Sequence, residues 1–192
     1  MSRAPRILGF AGSLRAESWN KKLVKLALEA ARAAGAQTTF LDLRDVPMPV
    51  YDADLEQSEG LPDGAKRLKE IMIAHDGFLI ASPEYNSSIS AALKNAIDWA
   101  SRGDPPLACF NDKVAALLSA SPGALGGLRG LVTVRSILSN LNVLVLPRQF
   151  ALSRAHEAFD EHGRLKDAKH AAAVERIGAE IVSLLTRLDA GR

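Results

Sequence analysis

The sequence predicts an α/β fold in which five parallel strands form a doubly wound sheet. Three observations support this prediction. Short apolar runs alternate along the chain with segments whose apolar residues recur three and four positions apart. The central run is apolar throughout, which is typical of a strand covered on both faces. Three of the runs end in loops rich in glycine and serine. At 192 residues the chain is long enough for a single domain, expected over 1–192, and short for two.

Five apolar runs predict the strands: residues 7–11, 37–43, 77–81, 113–118 and 143–146. Between the second and third strands lie Pro47 and Pro49, which forbid a regular helix or ladder and predict an irregular loop at 46–52. The apolar residues of this loop would cover their own domain, a partner subunit or the rim of a ligand site.

Segments with helical spacing predict the helices between these strands. The first would begin after Ser18 and end at Gly35, the second would begin at Pro62, and the third would be capped by Ser90. The two later helices carry the apolar sets Leu131, Val134, Leu138 and Leu141, and Val174, Ile177, Ile181, Leu184 and Leu188.

The composition is that of an ordinary globular protein, with 47% hydrophobic and 24% charged residues. A formal net charge of +2, without long runs of one sign, argues against nucleic acid or an acidic membrane surface as a partner. No uncharged stretch is long and apolar enough to span a bilayer, so we expect a cytoplasmic protein. The single cysteine, Cys109, excludes an internal disulfide, and the histidines lack metal-ligand spacing.

The stretch from Gly12 to Asn20 links the first strand to the first helix. Free N–H groups and the positive dipole end of a helix attract anions at this position. Ser13, Arg15, Ser18 and Asn20 can all donate hydrogen bonds to a phosphate. The alternative is that Ser18 only caps the helix, but capping needs one such residue. The sequence lacks the glycine-rich motifs that bind triphosphates and dinucleotides. The predicted ligand group is therefore a single terminal phosphate, such as that of FMN.

Two further polar loops follow the third and fourth strands, at 82–88 and 119–127. In the flavodoxin-like strand order 2-1-3-4-5, the first, third and fourth strands are neighbours, so their loops meet at the carboxyl edge of the sheet. Ser121 can donate a hydrogen bond there, and Gly123 lets the backbone approach a flat or charged ligand. The alternative for the glycines of this loop is a helix-entry turn that needs their backbone freedom.

Three ordered motifs resemble the NAD(P)H-dependent FMN reductase family, in particular its bacterial chromate and quinone reductases. They are Gly12-Ser13-Leu14-Arg15-x-x-Ser18-x-Asn20, Pro83-Glu84-Tyr85-Asn86 and Leu93-Lys94-Asn95-Ala96-Ile97-Asp98-Trp99. The similarity runs from about residue 6 to Leu165.

The resemblance implies a set of cofactor-binding residues and no catalytic side chain, because the cofactor carries the chemistry. The FMN phosphate would be held by Ser13, Arg15, Ser18 and Asn20, with Trp19 in the same loop. The edge of the isoalloxazine ring would be lined by Pro83, Glu84, Tyr85 and Asn86. From the next loop, the ring would be approached by Ser121 and Gly123. Glu84 and Tyr85 could face the substrate or be structural.

The implied reaction passes hydride from NADPH or NADH through FMN to a quinone, a chromate-like oxyanion, an azo compound or free flavin. The resemblance also implies a homodimer or a tetramer, with the loop at 48–52 and the helix of Trp99 as candidate contacts. Ile89-Ser90-Ala91 stands where the family often has Ile-Pro-Gly, and Ala124-Leu125 stands where an arginine or aromatic residue often occurs. Both departures are expected near the substrate face.

Two alternatives from other functional classes remain at this stage. A flavodoxin-like electron carrier would dock on redox partners through a strongly one-signed surface, which a net charge of +2 does not suggest. A flavin-binding protein without catalytic activity would keep the same loops and reduce nothing.

Overall fold

The computed structural model, which describes residues 3–191, contains one sheet of five parallel strands. The strands are β1 (Arg6–Ala11), β2 (Gln37–Leu41), β3 (Gly77–Ala81), β4 (Val114–Ala120) and β5 (Leu144–Leu152). Their order is β2-β1-β3-β4-β5, which confirms the predicted flavodoxin-like topology.

The helices are α1 (Trp19–Ala33), α2 (Ala53–Glu59), α3 (Asp63–Ile73), α4 (Ala91–Ala100), α5 (Leu128–Asn140), α6 (Ala155–Ala158) and α7 (Ala168–Ala190). The sequence did not predict α2 or α6. The first has no buried residue, so it carries no apolar periodicity, and the second is a single turn. Over residues 3–191, none of the helices combines the length and the apolarity that crossing a lipid bilayer requires.

The two faces of the sheet bury separate hydrophobic clusters. Helices α1 and α7 cover one face, and α3, α4 and α5 cover the other. Strand β3 is buried throughout, with Leu79 and Ala81 on the first face and Phe78 and Ile80 on the second. This double coverage explains the continuous apolar run by which β3 was predicted.

Strand β5 is longer than the predicted segment 143–146 and runs over Leu144–Leu152. From Ala115 to Leu117, β4 advances by two residues, while the paired segment of β5 advances by four. Pro147 lies in this irregular segment of β5. Proline has no N–H to donate, so it is placed where the ladder is interrupted. The interruption hid the second half of the strand from the sequence pattern.

The proline-rich loop before α2 covers its own domain, one of the alternatives left open above. Trp99 Nε1 and Asn95 Nδ2 both donate to the carbonyl of Pro49, at 2.8 and 2.9 Å. The Trp99 side chain is fully buried, so only other residues of its helix, such as the exposed Lys94, are open to a partner. Val50, 82% exposed, is a large hydrophobic residue of this loop that is open to a partner.

A buried ion pair ties the first turn of α1 to the end of β2. Lys21 Nζ lies 2.7 Å from Asp42 Oδ2, and the two side chains are only 6% and 11% exposed. Arg44 adds a second contact to the same oxygen. Burial alone would raise the pKa of Asp42, but the hydrogen bonds from Arg44 and Lys21 outweigh it and hold that pKa well below its usual range.

We expect Asp42→Asn to lower the free energy of unfolding by roughly 3 kcal/mol at neutral pH, because it leaves Lys21 buried without its counter-charge. Because the pKa of Asp42 is depressed in the folded protein, the wild-type protein has the higher free energy of unfolding at pH values above the unfolded-state pKa of about 4. This difference between wild type and variant shrinks as the pH falls below that value. Urea unfolding from pH 7 to pH 3 measures this, with the exposed Asp45→Asn as control. A difference that does not shrink in acid would contradict the assignment.

Candidate active site

The loop after β1 begins at Gly12, which is held against the start of α4. Its N–H donates to Ala81 O at 2.9 Å, and a Cβ at this position would lie 2.8 Å from the Cβ of Leu93. Ser90 donates to the carbonyl of Gly12 and accepts from the N–H of Leu93. Ser90 therefore caps α4 as predicted, and its buried side chain links the start of α4 to the loop after β1.

Ser18 stands at the N-cap of α1, yet its side chain makes no capping hydrogen bond. The residue is only 3% exposed, and within residues 3–191 its hydroxyl bonds to no protein atom. The N–H groups of Trp19 and Asn20, in the first turn, likewise donate to no protein atom in this part of the chain. The capping alternative therefore does not account for Ser18, and the start of α1 presents unpaired donors.

Arg15 and Asn20, which line the same depression, have different neighbours. The guanidinium of Arg15 lies 5.4 Å from the ring centre of Trp19, whose other neighbour is the His156 ring at 6.5 Å. The side-chain amide of Asn20 donates to Ala120 O and accepts from Ala120 N, both at 2.9 Å. Asn20 therefore braces the loop against the end of β4, and only its second amide hydrogen remains for a ligand.

The loop after β3 forms a tight two-residue turn. Tyr85 and Ser88 exchange backbone hydrogen bonds of 3.0 Å, and Asn86 and Ser87 between them have φ values of 50° and 66°. The Tyr85 side chain is 52% exposed. The Glu84 side chain, in contrast, is only 9% exposed, and its carboxylate binds Arg129 at the start of α5.

The loop after β4 is joined to the end of β5. Ser121 N–H donates to Leu152 O at 3.1 Å, and Ala155 N–H donates to Ser121 O at 3.0 Å. The hydroxyl of Ser121 accepts from Gly123 N–H at 3.2 Å. The second half of β5, which the sequence did not predict, thus holds Ser121, one of the predicted site residues, in place.

Two glycines of this loop form the turn that leads into α5, which is the alternative role given for them in the sequence analysis. Gly126 and Gly127 have φ values of 62° and 91°, and a Cβ on Gly127 would lie 1.9 Å from Ser119 Oγ. Gly123 has no such constraint, since a Cβ there would meet only Ser121 Oγ at 3.6 Å.

Nine of the eleven predicted cofactor-binding residues line one open depression at the carboxyl edge of β1, β3 and β4: Ser13, Arg15, Ser18, Trp19, Asn20, Pro83, Glu84, Tyr85 and Ser121. Asn86 and Gly123 are not part of the lining. Ala120 and Pro122 complete it and were missed, although both lie where β4 ends, the position that marked their neighbours. Two other grooves, with volumes of about 400 and 480 Å³, lie along α7, and none of these residues lines them.

Comparison with known proteins identifies the family. A family model described as NADPH-dependent FMN reductase matches residues 5–157. An NAD(P)H-dependent FMN reductase of Pseudomonas aeruginosa is 40% identical over 171 residues, which cover 88% of this chain and 89% of that protein. A quinone reductase of Escherichia coli is 37% identical over 147 residues, 76% of each chain. The structure of FerB, an NAD(P)H:(acceptor) oxidoreductase of Paracoccus denitrificans, matches with a TM-score of 0.82 and 27% identity over 96% of this chain and 98% of that one.

The residues of the depression fit a cofactor of this kind. Unpaired N–H groups, the Ser18 hydroxyl and the Arg15 charge lie together, as a phosphate requires, and the exposed Tyr85 side chain lines the same depression. The matched region, residues 5–157, contains all three loops. The chain therefore belongs to the NADPH-dependent FMN reductase family and is an oxidoreductase that uses FMN as its cofactor and NADPH or NADH as its electron donor.

Proposed function

We propose that FMN occupies the depression, with its phosphate at the start of α1 and its ring beside the turn after β3, and that a quinone accepts the electrons. The observation that carries this proposal is the uncapped Ser18 hydroxyl, which bonds to no protein atom within residues 3–191 and lies beside unpaired N–H groups and Arg15. When bound, FMN supplies a group that takes hydride from the nicotinamide donor and passes electrons on to the acceptor.

At the phosphate end the protein supplies charge and fixed donors. Arg15 has no acidic partner within residues 3–191, so its charge is available to a phosphate. The dipole of α1 and the N–H groups of its first turn add to this attraction. Ser13, which is buried beside them, keeps its hydroxyl hydrogen for a ligand because its oxygen accepts from Arg15 N–H.

At the ring end the protein supplies backbone donors and an exposed aromatic side chain. The N–H groups of Glu84 and Asn86 donate to no protein atom in the part of the chain that the structure describes. We assign no general acid or base here, because the Glu84 carboxylate is bound by Arg129 and the Tyr85 side chain is half exposed. Binding, orientation and exclusion of water are the roles of these side chains.

The surroundings favour a flat aromatic acceptor. Tyr85 and Leu125, each 52% exposed, are large apolar side chains in the second and third loops, and such surfaces bind planar rings. A quinone fits them, as do an azo compound and free flavin. A chromate-like oxyanion would need a free cation, whereas Arg129 is already paired and Arg15 is assigned to the phosphate. The relative named quinone reductase agrees with this choice.

We also propose that the protein is a homodimer or a tetramer in the cytoplasm. The exposed apolar side chains of Val50 and of Val132, on α5, are suited to subunit contacts. The lone cysteine, Cys109, is buried and free, in keeping with a reducing compartment.

Arg15→Ala should weaken FMN binding about ten- to a hundredfold, because a charge-assisted hydrogen bond to phosphate contributes about 1.5–3 kcal/mol. Titration of the FMN-free protein, followed by quenching of flavin fluorescence, measures the dissociation constant. Arg67→Ala is the matched control, since this exposed arginine lies on α3. If the Arg15 variant binds FMN as tightly as the control, Arg15 does not bind the phosphate.

Ser18→Ala should also weaken FMN binding, by about tenfold, while leaving the unfolding free energy of the FMN-free protein almost unchanged. An ordinary N-cap serine would cost about 1 kcal/mol when truncated. The difference arises because Ser18 makes no capping bond. Ser90→Ala, which removes a real cap, is the control and should destabilise the protein. A comparable loss of stability in both variants would contradict this assignment.

The purified protein, reconstituted with FMN and desalted, should lose its flavin absorbance near roughly 450 nm within seconds of anaerobic addition of NADPH or NADH. Subsequent addition of a quinone should restore the band. A band that bleaches only with dithionite would support the electron-carrier or non-catalytic alternative. A protein that retains no flavin would contradict the placement of FMN in the depression.

A further inference from the structure

Glu84, which lines the depression, has a carboxylate held by two groups of α5. Its carboxylate accepts from Arg129 Nε at 2.8 Å and from the backbone N–H of Gly130 at 3.1 Å. The Glu84 side chain is 9% exposed, whereas that of Arg129 is 58% exposed. A carboxylate from the loop after β3 is thus held at the first turn of α5, where the helix dipole favours negative charge.

Helix α5 also supports the other end of the same turn. A Cβ on Gly130 would lie 3.3 Å from Ser88 O and 3.4 Å from the Cβ of Glu84. The glycine therefore allows the helix to approach both Glu84, which directly precedes the turn, and Ser88, its last residue. Together with the two hydrogen bonds between Tyr85 and Ser88, these contacts leave the turn little freedom to change direction.

We propose that Glu84 is a positioning residue: held by Arg129 and Gly130, it fixes the orientation of the unbonded N–H groups in the turn after β3. This inference rests on the proposed placement of the FMN ring beside this turn. Fixed N–H dipoles stabilise the form of a ligand that carries more negative charge. Glu84 therefore increases the affinity for reduced FMN more than the affinity for oxidised FMN, without touching the reacting atoms.

The competing role for a carboxylate at this place is proton transfer. The contacts argue against it, since burial, which raises the pKa of Glu84, is outweighed by the hydrogen bonds from Gly130 and Arg129, which lower it. The carboxylate is then ionised throughout the neutral range and cannot act as an acid there. Glu84→Gln should leave the shape of the profile of kcat against pH unchanged between pH 6 and 9, and the loss of a limb would overturn the inference.

The decisive experiment uses the charge-balanced double variant Glu84→Gln/Arg129→Gln, because removing either charge alone would itself alter the affinity for reduced FMN. We expect the dissociation constant for reduced FMN to rise about tenfold more than that for oxidised FMN. For a two-electron couple this ratio lowers the midpoint potential by about 30 mV. Anaerobic titration and dye equilibration measure the two quantities independently.

The matched control is Arg148→Gln/Glu180→Gln, which removes another arginine–glutamate pair, 2.9 Å apart, between β5 and α7. It should leave the ratio unchanged. If the Glu84 double variant weakens both forms of FMN equally, or neither, Glu84 only supports the fold and the inference is overturned. Failure of the wild-type protein to bind FMN would instead overturn the proposed function.

A second measurement covers the case in which the double variant does not fold. Arg129→Gln alters an exposed side chain, so the protein should remain folded. Hydrogen exchange of the FMN-free variant should be faster in the peptide that covers 84–88 and unchanged elsewhere in the sheet. Unchanged exchange in that peptide would contradict the role of the Glu84–Arg129 pair.

Discussion

The site depends on hydrogen bonds in which side chains tie its three loops to one another's backbones. Asn20 bonds to both backbone groups of Ala120, joining the first loop to the third across 100 residues of sequence. Ser90 joins the second loop to the first at Gly12, and Ser119 donates to Ser82 O at 2.7 Å, joining the third to the second. The three loops therefore form one framework before any ligand binds, so the binding energy need not be spent on ordering them.

Most of the sheet could be predicted because burial leaves a direct mark on the sequence. The run at Gly77–Ala81 is apolar at every position and was placed at its observed bounds. Prediction failed where burial is not the determining factor. Helix α2 has no buried residue, and its start is fixed by the capping side chain of Asp52. Strand β5 continues beyond Pro147 because it pairs again with β4 there. Such elements depend on single residues or on distant partners, which a local pattern does not contain.

The site was predictable as a place and a family, and less so as a set of roles. The loops after neighbouring strands had to meet, and nine predicted residues line the same depression. The motifs also led to the family that the comparisons confirm. The capping role of Ser90 was predicted, but its contact with Gly12 and the roles of Glu84 and Trp99 were not predictable, because each depends on a partner far along the chain. Gly12, Arg129 and Pro49 respectively turn these polar or aromatic side chains towards the interior.

The irregular stretch of β5 has a consequence for how the molecule meets other chains. Strand β5 lies at one edge of the sheet, and a regular edge strand can pair with a strand from a neighbouring molecule and extend the sheet. Pro147 offers no donor in the middle of this edge, and the exposed, charged Arg148 follows it. This edge is therefore unsuited to strand addition, and a partner that approached it would have to bind through side chains and not by extending the sheet.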